Sequence, residues 1–391
     1  MKSKILFSAS LFHGVNDAAA VTVPMVFPLL FSRQFLITRY ADIGILSNLG
    51  MLTTLLFQIV IVFFAHRIEY RHMMLMSILG ISASLILITR AGSFGCLLPL
   101  YLLMRAFLSF YHPMGTAMVA RTHPDSGLDF AIGIQSGSGN LGVLLAFVSV
   151  GFIAQRFGWR TPILIWAGIG LAAGGICFLL VRDSRTREIE HQNPDWKLWL
   201  RSWRRIRVWV PGFVFGGSCW GTAVYYAPSL LNHRFRIGLG ETGIYLAAWI
   251  GLGTLMPYLF GILAGRFGRS RIAAAGVFGA SAFALLLGLS PSAAAAVPAL
   301  LVFGAFLFLV FPALQSLVAG STPPEEQTAA FSLAANLQML SGALVILFSG
   351  FISDLLGIHA PFIFLGLLGA GVGLGFWARR IRNRPADPDH A

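Results

Sequence analysis

The chain has 391 residues, of which 57% are hydrophobic and 11% charged, and it carries a formal charge of +13. A soluble domain is about 25% charged, so these figures exclude an ordinary soluble globular protein and describe one immersed in lipid. The basic excess does not imply a nucleic-acid partner, because it sorts by side: of the 28 Lys and Arg, about 20 fall in loops on the side of the termini and about 7 on the other, the bias that sets membrane orientation.

Apolar runs near the roughly 20-residue length of a membrane-crossing helix recur along the chain. Twelve are predicted, centred near Asp17, Leu52, Ile81, Phe107, Gly142, Gly170, Trp220, Leu252, Gly279, Leu307, Leu340 and Gly369. The expected fold class is an all-α multi-pass membrane protein with twelve transmembrane helices. Both termini are expected to be cytoplasmic and the cell inner (plasma) membrane to be the location. The first run shows no small-residue cleavage site after a short apolar core, so it is read as a retained helix and not a signal peptide. It carries His13, Asn16 and Asp17. An ionisable group at mid-membrane depth costs at least about 2.5 kcal/mol, which makes Asp17 a functional candidate by default. His13 lies one turn earlier on the same face. It is placed either to relay a proton or to hydrogen-bond a backbone carbonyl or Asn16.

The fourth run carries Arg105, then Tyr111, His112 and Pro113. Helices one and four run antiparallel, so Asp17 and Arg105 are expected at similar depth, where they offset each other's desolvation. His112 lies two turns beyond Arg105 on one face. It serves either the site or a helix bend before Pro113. The fifth run carries Gly133, Gly137, Gly139 and Gly142, small residues that allow close helix packing, together with the polar Gln135 and Asn140. Cys96, Cys177 and Cys219 lie in apolar runs without metal-binding spacing and are read as packing residues; no metal site is expected.

The longest polar stretch, 182–207, is read as a cytoplasmic linker between an N-terminal six-helix bundle (1–181) and a C-terminal one (208–378). Within it Trp196, Trp199, Trp203 and Ile206 recur at helical spacing among Lys197, Arg201, Arg204 and Arg205, the pattern of a basic interfacial helix. In the second half the candidates are neutral. They are Trp220, Tyr225 and Tyr226 in helix seven, Tyr245 and Trp249 in helix eight, Gln315 in helix ten, and Asn336 and Gln338 in helix eleven. Each aromatic is either packing or a ligand contact. Together they suggest an aromatic wall opposite a charged one, suited to an amphipathic or anionic organic molecule. The tail, 379–391, is polar and expected to be disordered.

Four stretches are alike, anchored at Ala65, Ala154, Ala264 and Ser353. The first and third anchors lie 199 residues apart, as do the second and fourth. A repeat fixes architecture, and parallel repeated halves in a membrane protein point to a secondary transporter. The same offset takes Pro113 to Pro312 and Pro124 to Pro323, whereas His13, Asp17 and Arg105 fall on Gly212, Gly216 and Gly304. The scaffold is duplicated and the charges are not.

These stretches resemble the major facilitator superfamily, whose signature between helices two and three is G-x-L-A-D-R-x-G-R-[RK]. The resemblance implies two six-helix bundles around a central cavity and loops that gate their motion. Gly261–Arg269 keeps that signature except for the acid. The first copy has His66 at the acid position and Glu69 at the second glycine. The fourth keeps the acid as Asp354. By this resemblance the gating residues are His66, Arg67, Glu69, Arg71, Arg266, Arg269 and Asp354. Phe12–Asp17, Tyr111-His112-Pro113 and Ile134–Gly142 further resemble the fosmidomycin-resistance group of bacterial efflux proteins. Arg105 departs from that group and resembles the helix-four arginine of drug–proton antiporters.

The leading expectation is a proton-coupled exporter of a small organic compound, with Asp17, His13 and Arg105 in coupling. Arg105, Asn16, Tyr111, His112, Gln135, Asn140 and the second-half polar and aromatic residues would meet substrate. A proton-coupled importer of an organic acid or siderophore-like compound, and a lipid translocase, are the alternatives. No nucleophile–base spacing or phosphate-cradling loop suggests an enzyme. The expected partners are a small-molecule substrate and the bilayer, with a monomer as the assembly. No resident cofactor is expected, the proton gradient being the energy source.

Overall fold

The computed structural model describes residues 2–33, 36–64, 69–123, 128–181 and 196–382. His66, Arg67, the linker through residue 195 and the tail beyond 382 lie outside them. All regular elements among the described residues are helical. The first predicted run is α1 (Lys2–Met25) and α2 (Phe27–Arg33), which together form one apolar span, Ser3–Phe31. The joint falls at Val26, between Pro24 and Pro28, residues that interrupt the backbone hydrogen-bond ladder. Then come α3 (Tyr40–Phe64) and α4 (Tyr70–Ile88). The fourth run is broken into α5 (Phe94–Leu108) and α6 (Tyr111–Thr122). Pro113 has no N–H for the Ser109 carbonyl, and the Ser109 hydroxyl turns back to the Ala106 carbonyl at 2.6 Å.

The chain continues through α7 (Leu128–Phe157), α8 (Arg160–Leu180), the linker helix α9 (Trp196–Ile206) and α10 (Val210–Ser229). A π-helical turn, Leu230–Arg234, extends α10 after Pro228. The remainder is α11 (Leu239–Phe267), α12 (Arg269–Leu289), α13 (Ala293–Ser321), α14 (Pro324–Leu356) and α15 (Ala360–Arg382). Because α15 runs to Arg382, the first residues of the predicted tail are helical. Among the described residues, 10 of the twelve predicted runs form spans long and apolar enough to cross a membrane. The other two are the broken α5–α6 pair and α10. Large apolar side chains stay outside the packing, such as Ile262, Tyr258 and Leu355 at 71%, 77% and 81% exposure, as lipid-facing residues do.

The repeat has a physical cause. Gly158, Gly268 and Gly357 have φ of +82°, +85° and +96°, the left-handed conformation that ends helices. Each donates its N–H back to the anchor four residues earlier, to Ala154, Ala264 and Ser353, at 2.9–3.0 Å. Three copies of the motif are thus the C-terminal stops of α7, α11 and α14. In the first copy Glu69 holds the glycine position, with φ −63° and ψ 141°. It precedes α4 as extended backbone.

Spatial packing divides the chain into two compact units. The first comprises Met1–Pro194, Ala223–Gly251 and Ala343–Ile358. In it α1 packs against α6, α7 and α8, through a core that includes Phe12, Ile78, Tyr111, Met118 and Cys177. Gly14 and Gly142 bring α1 and α7 into backbone contact. The start of α3 is held by later parts of the chain. Asp354, near the end of α14, accepts the backbone N–H of Tyr40 at 2.7 Å and of Ala41 at 3.0 Å. His233 bridges the Tyr40 hydroxyl at 3.0 Å and the Pro28 carbonyl at 3.2 Å. Asn48 donates to the Ala343 carbonyl at 2.9 Å.

The second unit comprises Asp195–Thr222, Leu252–Gly342 and His359–Ala391. There α12 packs against α13 and α15, and α10 meets α14 where Gly217 faces Gln338 and Gly342. Helix α9 is tethered by Glu326, which lies 3.3 Å from Arg201 and 2.8 Å from Arg205. Ser202 and Ile206 are buried while Trp199 and Trp203 stay outside at 37% and 39% exposure.

Candidate transport site

Asp17 is the middle residue of the Ser3–Phe31 span. Its Oδ2 lies 3.1 Å from His13 Nε2. Its Oδ1 accepts the Asn16 amide at 3.2 Å and lies 3.5 Å from His112 Nε2. One turn of helix places His13 over Asp17, and the α5–α6 break sets His112 beside it. The other ring nitrogen of His13, Nδ1, is 2.7 Å from the Gln135 carbonyl. A carbonyl only accepts, so Nδ1 is assigned the hydrogen. In the neutral-histidine, ionised-aspartate state, Nε2 and Oδ2 are then both acceptors. Their contact requires one further proton, carried by either group.

The surroundings hold this pair in place. The Gln135 side-chain amide donates to the Tyr111 hydroxyl at 2.8 Å, which donates to the Ala9 carbonyl at 2.7 Å. His13 stacks on Tyr111 with ring centres 4.8 Å apart, and His112 meets His13 edge-on at 5.4 Å. Gly139 of α7 faces the pair. A Cβ there would stand 2.7 Å from His13 Nε2 and 2.8 Å from Asp17 Oδ2. His112 is the open side of the cluster, its side chain 47% exposed against 10% for His13.

His13, Asp17 and His112 also present metal-ligand atoms within 4.8 Å of one another, a cluster that the sequence spacing did not disclose. Zinc bonds nitrogen and oxygen at about 2.0–2.2 Å, so its ligand atoms lie within about 4.4 Å of each other. The 3.1 Å and 3.5 Å separations of Asp17 from the two histidines fall inside that limit, so the cluster offers donors for a metal ion as well as a seat for a proton.

Arg105 stands apart from this cluster. Its Nε donates to the Gly50 carbonyl at 3.3 Å and the Thr54 hydroxyl at 3.0 Å, and it packs with Tyr101 over Gly50 of α3. It makes no ion pair with Asp17 and acts on it at longer range. The offset expected between the two therefore acts at a distance and not through a direct pair. Equal depth sets height in the membrane, not direction around the helix, and α5 turns Arg105 toward oxygens of α3.

The other candidates divide. Asn140 is half-buried. Tyr225 and Trp249 are fully packed, and Tyr226 is buried with its hydroxyl on the Ile346 carbonyl at 2.8 Å. Trp220, Tyr245, Asn336 and Gln338 are half-buried, and Gln315 is exposed. Of the gating residues, Glu69 lies 2.9 Å from Arg71 and 3.5 Å from His72. Arg266 lies over the Phe267 ring, and Arg269 reaches the Ser316 carbonyl at 3.4 Å. Asp354 caps α3. Tyr40, His233 and the space left by Gly139 were not anticipated, because their partners are distant in the chain.

The profile of the Major Facilitator Superfamily matches residues 6–346, and the chain belongs to that superfamily. It is a membrane transporter with the superfamily's two-bundle all-α fold. Among solved structures it is similar to a bacterial homologue of the human lysosomal transporter Spinster in an inward-facing, unoccupied conformation. The TM-score there is 0.83 and the identity 16%, over 98% of each chain. It is also similar to the nucleoside transporter NupG (TM-score 0.77, 12% identity, 97% of this chain and 100% of that one). A POT family transporter in complex with a thioalcohol-conjugated peptide gives a TM-score of 0.78 at 15% identity, over 96% of each chain. At these identities the likeness is one of fold. Multidrug resistance protein MdtG of Citrobacter koseri is 29% identical over 169 residues, 41% of this chain and 40% of that protein. The match thus spans less than half the relative's length.

Proposed function

We propose that this transporter exports a small amphipathic or anionic organic compound in exchange for protons, by alternating access, with the Asp17–His13 pair as proton carrier. The observation that carries this reading is the 3.1 Å contact between His13 Nε2 and Asp17 Oδ2, at the midpoint of a membrane span. Loss of its proton leaves two acceptors facing each other, an arrangement that favours rearrangement. A site that changes shape on losing a proton is what exchange transport needs. His112, on the open side, is the route by which the proton comes and goes. Arg105 supplies a fixed cation that does not titrate, suited to an acidic group on the substrate. Export is favoured by the similarity to MdtG and by the resemblance to fosmidomycin-resistance exporters.

Asp17→Asn keeps the size and polarity of the side chain and removes the transferable proton. A compound that raises the Tm of the purified protein should be accumulated by wild-type proteoliposomes under an imposed pH gradient. The variant, at unchanged Tm, should not accumulate it. Undiminished accumulation would sink the proton role. Arg105→Ala should weaken transport of anionic compounds more than of neutral ones. Equal loss for both would make Arg105 a structural tie to α3.

A further inference from the structure

In the second unit a groove of about 1470 Å³ opens where the start of α10, the α11–α12 turn and the end of α15 meet. The span of α11 ends at Phe267, that of α12 begins at Arg269, and that of α15 ends at Ala378. The groove therefore sits where helices leave the hydrocarbon. Four arginines line it, Arg207, Arg266, Arg269 and Arg271, with no acidic residue among the lining. Among the described residues none of the four belongs to an ion pair. Arg201 and Arg205 of α9 differ, since both pair with Glu326. Four cations with no acidic partner among the described residues repel one another and favour an anion.

The rest of the lining says what kind of anion. From Arg271 to Phe278, α12 descends about 10 Å toward the membrane interior. Along it the lining turns apolar, with Ala274, Ala275 and Phe278, and Leu317 of α13 beside them. Trp209 and Trp377 line the groove with the arginines, the residue type that sits at headgroup level. The groove is far larger than an inorganic anion needs, and it is charged at the surface and apolar below. That matches a molecule with an anionic head and hydrocarbon tails, and basic pockets between membrane helices bind such headgroups.

We propose that this groove is a binding site for an anionic phospholipid of the surrounding bilayer, with the phosphodiester on the arginines and an acyl chain along α12. The site is separate from the Asp17 cluster and does not depend on the transport reading.

The test uses the full-length chain in non-ionic detergent, with lipid adducts measured by native mass spectrometry. Dioleoylphosphatidylglycerol, dioleoylphosphatidylcholine and inorganic phosphate are the probes. The phosphatidylglycerol adduct should be retained over phosphatidylcholine and should resist phosphate. An arginine near the membrane surface contributes roughly fivefold to anionic-lipid binding, so the combined Arg266→Gln, Arg269→Gln and Arg271→Gln substitutions should weaken it on the order of a hundredfold. Ala275→Trp keeps all four charges and fills the groove from an exposed position, so it too should lose the adduct. Arg201→Gln on α9 should retain it. Equal binding of both lipids, or an unweakened triple variant, would overturn the proposal. So would displacement by inorganic phosphate, which marks a free-anion site. Unchanged binding by Ala275→Trp would reduce the effect to surface charge and equally overturn it.

Discussion

At the scale of single residues, the proton-holding contact depends on an absence. Gly139 leaves the space that His13 and Asp17 occupy, and a methyl group there would stand within 2.8 Å of both. Neither side chain can retreat freely, because His13 is fixed by the Gln135 carbonyl and by its stack on Tyr111. Gly139→Ala should therefore separate the pair and lower pH-driven transport at least tenfold, with an overpacking cost of about 1–3 kcal/mol in stability. Gly137, two residues earlier on the same helix, has nothing within 4 Å of a built Cβ. Gly137→Ala should leave transport intact and raise stability by up to about 1 kcal/mol through helix propensity. Transport rates and Tm values of the two variants check this, and equal effects would contradict the assigned role of Gly139. The histidine–aspartate pair was legible from its four-residue spacing. Gln135 and His112 were also named as candidates, but their contacts with the pair were not legible, because chain folding supplies them and no local pattern encodes them.

At the scale of elements, proline and glycine placement explains most of what sequence periodicity alone misses. Hydropathy marks twelve runs, yet the first and fourth are each two helices, cut beside Pro28 and before Pro113. The repeat was legible as similarity. Its cause, a left-handed glycine bonded back to the anchor, emerges only from the backbone. In the fourth copy the motif's acid, Asp354, receives two N–H groups at the start of α3. Losing a helix-capping acceptor costs about 1–2 kcal/mol, so Asp354→Ala should loosen the α3–α14 junction roughly tenfold. Pulsed electron resonance between spin labels on the exposed ends of α3 and α14 would show a longer, broader distance distribution. Asp354→Asn, which keeps one acceptor oxygen, should give an intermediate result. Distributions unchanged in both variants would remove Asp354 from the junction.

At the scale of the whole molecule, the chain repeats its scaffold and places its mid-membrane charges in one half only. His13, Asp17 and Arg105 correspond to Gly212, Gly216 and Gly304 at the repeat offset. That asymmetry was readable without a structure, and it drew attention to the residues that now form the candidate site. What it did not convey is that Arg105 turns to α3 while two histidines meet Asp17. The central claim is that this cluster carries the proton that drives transport. The most direct measurement follows an entrapped pH dye in proteoliposomes while a transported compound moves down its own gradient. The wild type should show a proton flux opposite to the compound. Asp17→Asn should move the compound with no accompanying pH change. A proton flux in the variant equal to that of the wild type would contradict the account.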